Sequence, residues 1–388
     1  MPALRVVRQS NRHSTSSDIL RLIQRRRNAL YAGVLTTVFC ADNFFWLEQS
    51  IPIPRHTSIL TGQDWLDEII NGHPDRCLDQ LGMYPAAFLL LCSEFQRNGG
   101  LGDSRHITAE EQTAIFVYWM VHGSSQRDLM ERFQRSGDTI SKYTNRVLDI
   151  ATGNFYNKYI QNPADTTPPK IAGSTSYFPF FRYCRGAVNG VHFDSFALAA
   201  DVVRYRDRHG NVSQNVLAAC DFDMRFVYVM PGYEGTAADG RLLDTARRNG
   251  FALPEHRYYL ADAGFPNCDL LMTPFLGVRY HLNEWDRSGH GTQSFGTPEY
   301  DYDVQAKIVA ASAALHNFLR IHDRLNSFEV EMDDEEDYDA DDHPFLTGAV
   351  IPDQRVLAIT AAETARANER RRRIAQSMWD NYIMDHDS

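Results

Sequence analysis

"GAVNGVHFDSF" (186–196) and "RYYLADAG" (257–264) are the two stretches on which the fold of this chain turns. The first is a short apolar run with a turn-forming Asn-Gly in its middle, bounded by polar residues, and it reads as a strand. The second reads as a buried strand that stops at Asp262. Between them, "NVSQNVLAACD" (211–221) and "RFVYVMPGY" (225–233) are strand-like and are joined by "DFDM", a hairpin turn. "DGRLLDTARRNG" (239–250) has helical spacing, with Leu242, Leu243 and Ala246 inward and Gly250 at its C′ position. "DVQAKIVAASAALHNFLRIH" (303–322) is a long amphipathic helix. Strand, hairpin, helix, strand and helix make an α/β or α+β layer.

That order brings polar residues to one edge. The first strand offers Asn189 and His192, the helix start offers Asp239, and the second strand ends on Asp262. Carboxylates at the ends of neighbouring strands can hold divalent metals, and magnesium wants hard oxygen ligands. Each residue also has a plainer reading. Asp239 fits a helix N-cap, Asp262 a strand-end turn former and His192 a satisfied strand-end histidine. Asp221 and Asp223 fit the hairpin turn. "RYRDRHG" (204–210) is a basic loop that suits phosphate or solvent equally.

Upstream, Thr108 with Glu111 predicts a capping box before "EEQTAIFVYWMVHG" (110–123), a helix closed by Gly123. "SSQRDLMERFQ" (124–134) predicts a second helix, "RSGD" (135–138) a tight turn and "TISKYTNRVLDIA" (139–151) a third helix. In the third, Ile140, Tyr143, Val147 and Ile150 share the inner face, while Ser141, Lys142, Asn145 and Arg146 face outward. Two short helices joined by a tight turn, the second with a polar and basic outer face, form a helix-turn-helix pattern (124–152). A plain three-helix bundle fits the same spacing.

At 388 residues the chain is long enough for two or three domains. Its net charge of -11 gathers at the C-terminus, where "EVEMDDEEDYDADD" (329–342) has the composition of a disordered segment. The remainder is near neutral and neither requires nor excludes a nucleic-acid partner. Six cysteines stand in apolar surroundings without a CxxC or a zinc spacing, which predicts buried free thiols. No signal-peptide pattern opens the sequence. "NALYAGVLTTVFCADNFFWLEQS" (28–50) is apolar but broken by Asp42 and Asn43, so it reads as a core or partner-facing helix rather than a membrane span. "AAETARANERRRRIAQSMWDNYIMDH" (361–386) reads as a helix that folds back on the acidic run or binds a partner. The expected divisions are an N-terminal helical segment (1–52), a helical domain (53–160), a linker (161–180), an α+β domain (181–322), an acidic segment (323–345) and a helical tail (346–388).

"GDTISKY", "GAVNGVHF", "YRDRHGNVSQNVLAACDFDMRFVYVMPGYEGTAADGRLL", "YYLADAGFP", "TPFLGVRYHLNEW" and "QAKIVAASAALHNFLR" together resemble the transposases of PIF/Harbinger elements and the nucleases derived from them, in the form found in fungi. The resemblance spans about residues 52–322. It implies an RNase H-like DDE nuclease core of α+β class, preceded by an all-α region that carries the helix-turn-helix. It implies metal-dependent phosphodiester hydrolysis or strand transfer, with Mg²⁺ or Mn²⁺ as cofactor, DNA as partner, a Myb-like partner protein and a nuclear location. Carried onto this chain, the family's first Asp falls on Asn189, an auxiliary metal-side Asp on Asp239 and the second catalytic Asp on Asp262. Contacts to DNA fall to Ser141, Lys142, Asn145 and Arg146.

The family's third acid is a Glu on a helix between the "YHLNEW"-like stretch and the "QAKIV" helix. Here only "DRSGHGTQSFGTPEYDYD" (286–303) fills that gap, and Glu299 and Asp301 match the loop after the helix, not the Glu. A true deletion and a mis-spliced gene model both explain the gap. An Asn can offer an amide oxygen to a metal but no charge. Two readings follow: an endonuclease-like protein with impaired catalysis, or a non-catalytic DNA- or protein-binding relic.

Overall fold

A computed structural model describes residues 16–50, 54–199, 201–206, 210–275, 300–323 and 359–386. The acidic run 329–342, Trp285, Glu299 and most of the 286–303 gap lie outside the described residues. The chain divides into two compact units, Met1–Thr57 and Ser58–Ser388.

The first unit is built on α1 (Ser16–Ser50). Every side chain from residue 20 to 39 is exposed, including Leu30, Val34, Leu35 and Val38, so this part of the helix is not a core helix. Among the described residues no helix is long and apolar enough to cross a membrane.

The second unit opens with helices α2 (Gly62–Asn71), α3 (Pro74–Leu81), α4 (Pro85–Gly99), α5 (Ala109–His122), α6 (Gln126–Phe133), α7 (Gly137–Thr152) and α8 (Asn154–Tyr159). Local signals set their ends. Thr61–Asp64 and Ser125–Asp128 are complete capping boxes, and Gly82, Gly100 and Gly123 close helices in the left-handed conformation. The box expected at Thr108 is only half made. Thr108 accepts from the Glu111 amide, but the Glu111 carboxylate turns to Arg135, whose Nε and Nη2 donate at 2.9 and 2.8 Å. The connection expected at 135–138 is also shorter: Gln134 adopts a left-handed φ of 52° and Ser136 already caps α7. Phe88, Phe95, Phe116, Phe133 and Phe155 lie fully buried at the centre of this bundle, each worth about 1.5–3 kcal/mol.

The stretch 161–180 contains a short helix, α9 (Pro169–Ala172), with Ile171 buried. Then follow β1 (Cys184–Asp194), α10 (Val202–Tyr205), β2 (Ser213–Cys220), β3 (Phe226–Glu234), α11 (Asp239–Arg248), β4 (Tyr258–Ala261), β5 (Leu271–Met272), α12 (Tyr302–His322) and α13 (Ala361–His386). The sheet order is β3-β2-β1-β4-β5, with β1, β2 and β3 antiparallel and β1, β4 and β5 parallel. This mixed sheet agrees with an RNase H-like DDE core. Asp221 closes the hairpin by accepting from the Asp223 and Arg225 amides, both at 2.9 Å.

Leu242, Leu243 and Ala246 of α11 cover one sheet face, against Val188, Leu217, Ala219 and Tyr259. Ala313 of α12 covers the other, against Val216 and Val229. α12 also joins the helical bundle through Ala311, Ala314 and Phe318. Two buried amides fasten it. Gln305 bonds both backbone groups of Phe196, at 3.0 Å each, and Asn317 bonds both backbone groups of Phe226, at 2.7–2.8 Å.

Two arginines of α13 turn toward the sheet, while Arg372 and Arg373 are exposed. Arg370 donates to the carbonyls of Cys268, Asp269 and Leu271, and Arg371 to those of Thr273 and Pro274. The helix is thereby held along the β5 edge. Cys77, Cys92, Cys184 and Cys268 are buried free thiols. Burial pushes Cys92 up to about 12 and Cys77 and Cys184 up to about 11, so they stay protonated and unreactive near neutral pH.

Candidate metal centre

Parallel pairing of Val188 with Ala261 makes Asn189 and Asp262 neighbours, one residue beyond the last paired position. β1 runs straight through Asn189-Gly190, so the dipeptide forms no turn. Alternation puts Asn189, opposite Ala218, on the α12 face, and Gly190, opposite Leu217, on the α11 face.

Asp239 arrives from the α11 face. It is the first residue of its helix and not the N-cap, which is Ala238. Two missing side chains let its carboxylate in. A Cβ on Gly190 would stand 2.6 Å from Asp239 Oδ1, and a Cβ on Gly264 would stand 2.7 Å from Asp239 Oδ2. The same Gly264 position is 3.2 Å from Asp262 Oδ1, so the two carboxylates face one small space. Asp262 Oδ1 also accepts from the Gly264 amide at 3.0 Å, so the residue shapes its turn while presenting its carboxylate. Asn189 and Asp262 are exposed and Asp239 is half-buried.

The plainer readings hold for the neighbours. His192 Nδ1 pairs with Ser213 Oγ at 3.1 Å. Asp301 is the N-cap residue of α12, remote in sequence from the sheet edge. Sequence reasoning passed over three residues here. Gly190 and Gly264 admit Asp239, and Asn215, buried on β2, points its amide oxygen at the same region.

These donors suit one divalent cation with oxygen ligands, such as Mg²⁺ or Mn²⁺: two carboxylates, with the Asn215 amide oxygen beside them. They fall short of a two-metal cluster, which needs more negative charge than Asp239 and Asp262 supply. Among the described residues no group of three or more His, Cys, Asp or Glu could hold a metal.

The proposed DNA-contacting face lies elsewhere, on α7. Ser141, Lys142, Asn145 and Arg146 are all exposed. Ser141 Oγ accepts from Gln126 of α6 at 2.7 Å, which locks the two helices together. Asn145 bonds the Ser141 carbonyl, Arg146 reaches the Gly100 carbonyl at 3.2 Å, and the Lys142 ammonium lies 5.1 Å from the Tyr143 ring.

Residues 57–153, the helices α2 to α7, match a family described as Domain of unknown function (DUF8040). Residues 193–295 match a family described as DDE superfamily endonuclease. No curated protein and no solved structure matches the chain. The second match takes in β2, β3, α11 and β4 with Asp239 and Asp262, and it supports a transposase-derived DDE nuclease for the sheet-bearing part of this chain.

Proposed function

We propose that this protein is a Harbinger-type, transposase-derived DDE endonuclease-like protein that acts at DNA in the nucleus and whose hydrolytic step is impaired. The observation that supports the reading is the parallel pairing of β1 with β4, which runs to Val188 and Ala261 and is followed on β1 by Asn189, not an aspartate, and on β4 by Asp262. A divalent cation bound there would activate water and stabilise a leaving oxygen. Asp239 and Asp262 are the residues to hold it, while Asn189 carries no charge and lies on the face of β1 opposite to Gly190 and Asp239. DNA contact is assigned to Ser141, Lys142, Asn145 and Arg146, since α6 and α7 pack as a short-turn pair with that face outward.

Incubating the purified chain with supercoiled plasmid and Mn²⁺ tests this. No nicking is expected. Robust nicking that disappears in Asp262→Ala would overturn the impairment and show that another acid completes the site.

A further inference from the structure

Asn215 is the third residue of β2, opposite His192 on one side and Tyr233 on the other, and is 1% exposed. Its amide has only one possible orientation. Nδ2 donates to the Ala237 carbonyl at 3.0 Å, immediately before α11, and an oxygen in that place would face another oxygen. Oδ1 must therefore point the other way. It is buried there with no hydrogen-bond partner among the described residues.

What it faces is the acidic centre. Asn215 Oδ1 lies 3.3 Å, and Asp239 Oδ1 2.6 Å, from the one point where a Gly190 Cβ would stand. Two acceptors, one of them charged, thus border a space from which a glycine withholds its side chain. A buried acceptor left without a donor is costly, and a cation beside the Asp239 carboxylate would satisfy the Asn215 oxygen. Amide oxygens are ordinary ligands for hard divalent cations.

Resting on the DDE reading above, we propose that Asn215 is a metal-ligating residue of this centre. Its Oδ1, with the carboxylate of Asp239, binds one divalent cation over Gly190. The Ala237 carbonyl is the device that aims the amide. The site thus draws a ligand from β2, where the sequence comparison with transposases places no acid.

The test uses the full chain and Mn²⁺ alone, with the free-ion signal followed by electron paramagnetic resonance. The unmodified chain should take up one Mn²⁺. Asn215→Ala should weaken binding about tenfold or more, in the range seen when residues supporting a metal are removed. Gly190→Ala should do the same while leaving Asn215 and its bond to Ala237 in place, which covers the case in which Asn215→Ala fails to fold. Circular dichroism without metal checks the fold of each. If both variants bind Mn²⁺ as tightly as the unmodified chain while Asp239→Asn does not bind, the ion belongs to the carboxylates alone. Asn215 then faces water, and the proposal fails with the nuclease-derived reading intact. Absence of uptake by the unmodified chain also overturns it. The plasmid assay judges the impairment separately, since nicking by the unmodified chain overturns that reading whatever Asn215 does.

Discussion

Asp239 and Asp262 come from a helix start and a strand end, yet their carboxylates meet at a shared neighbour: a Cβ on Gly264 would stand 2.7 Å from one and 3.2 Å from the other. Gly264→Ala should therefore act on the site more than on the fold. The atoms it presses on are the ends of short side chains, which can swing away, so the cost should sit near the low end for added core volume, about 1 kcal/mol. Displacing Asp239 should nevertheless remove Mn²⁺ binding. Urea denaturation and Mn²⁺ titration of the same variant check both halves. Full metal affinity in Gly264→Ala would show that the carboxylates do not act together.

Glu111 and Arg135 are unequal partners. The Glu111 side chain is 1% exposed and that of Arg135 is 24% exposed. Removing the arginine strands a buried charge, whereas removing the acid leaves a guanidinium that can turn to water. Arg135→Ala should cost about 3 kcal/mol, and Glu111→Gln should cost less. Thermal melts of the two variants would give the order. A smaller loss for Arg135→Ala would mean that water reaches Glu111 readily.

Arg370 holds α13 through three carbonyls and lies 4.4 Å from the Tyr258 ring centre. Arg370→Ala should cost about 3 kcal/mol locally, because hydrogen bonds to a charged group are the stronger kind. Lysine should rescue little, since one ammonium cannot reproduce the planar fork. Hydrogen exchange should rise across 361–386 and 267–274 in both variants. Unchanged protection of α13 would place its anchorage in Glu363 and Arg366, which bond Arg247 and Asp269.

Local signals made much of this architecture readable. The Asp221 hairpin, the α11 stripe of Leu242, Leu243 and Ala246, and the cap at Gly123 each depend on residues within one turn or one strand. The misreadings depend on distant partners. Glu111 satisfies a capping-box pattern, but Arg135, beyond the intervening helix, takes its carboxylate. β5 has two residues and no period to read. Asn-Gly looks like a turn, yet Gly190 serves to admit Asp239 from another element. Asn215 looks unremarkable in its strand, because its burial comes from the elements packed around it. The parallel pairing of β1 with β4 rests on strand order, which spacing along the chain does not reveal.

DNA binding by α7, if its exposed face is the contact, should rest on few phosphates. Lys142 and Arg146 are its two cations, and Arg146 already reaches the Gly100 carbonyl. Neutralising about two phosphates gives a slope of about −1.8 in log affinity against log salt. Fluorescence anisotropy with duplex DNA between low and high salt measures it. Lys142→Ala with Arg146→Ala should flatten the slope toward zero. Tight binding that ignores salt would move the contact off this face.

Asn189→Asp should restore charge without restoring hydrolysis. A carboxylate at 189 would stand one residue beyond the last β1–β4 pair, at the strand end that carries Asp262, adding a negative charge to that edge. With metal removed by EDTA, that repulsion should lower the melting temperature. With Mn²⁺ present the order should reverse, because the added ligand favours the ion-bound folded state and stabilises it by mass action. Nicking should remain absent. Losses from a constellation that works as a unit are strongly non-additive, so returning one acid while the Glu-bearing helix stays missing recovers almost nothing. Melting curves with EDTA and with Mn²⁺, run beside the plasmid assay, separate the two effects. A variant whose melting temperature shifts the same way under both conditions would show that position 189 does not face the metal. Nicking by Asn189→Asp alone would show that the charge at 189 was the only part missing.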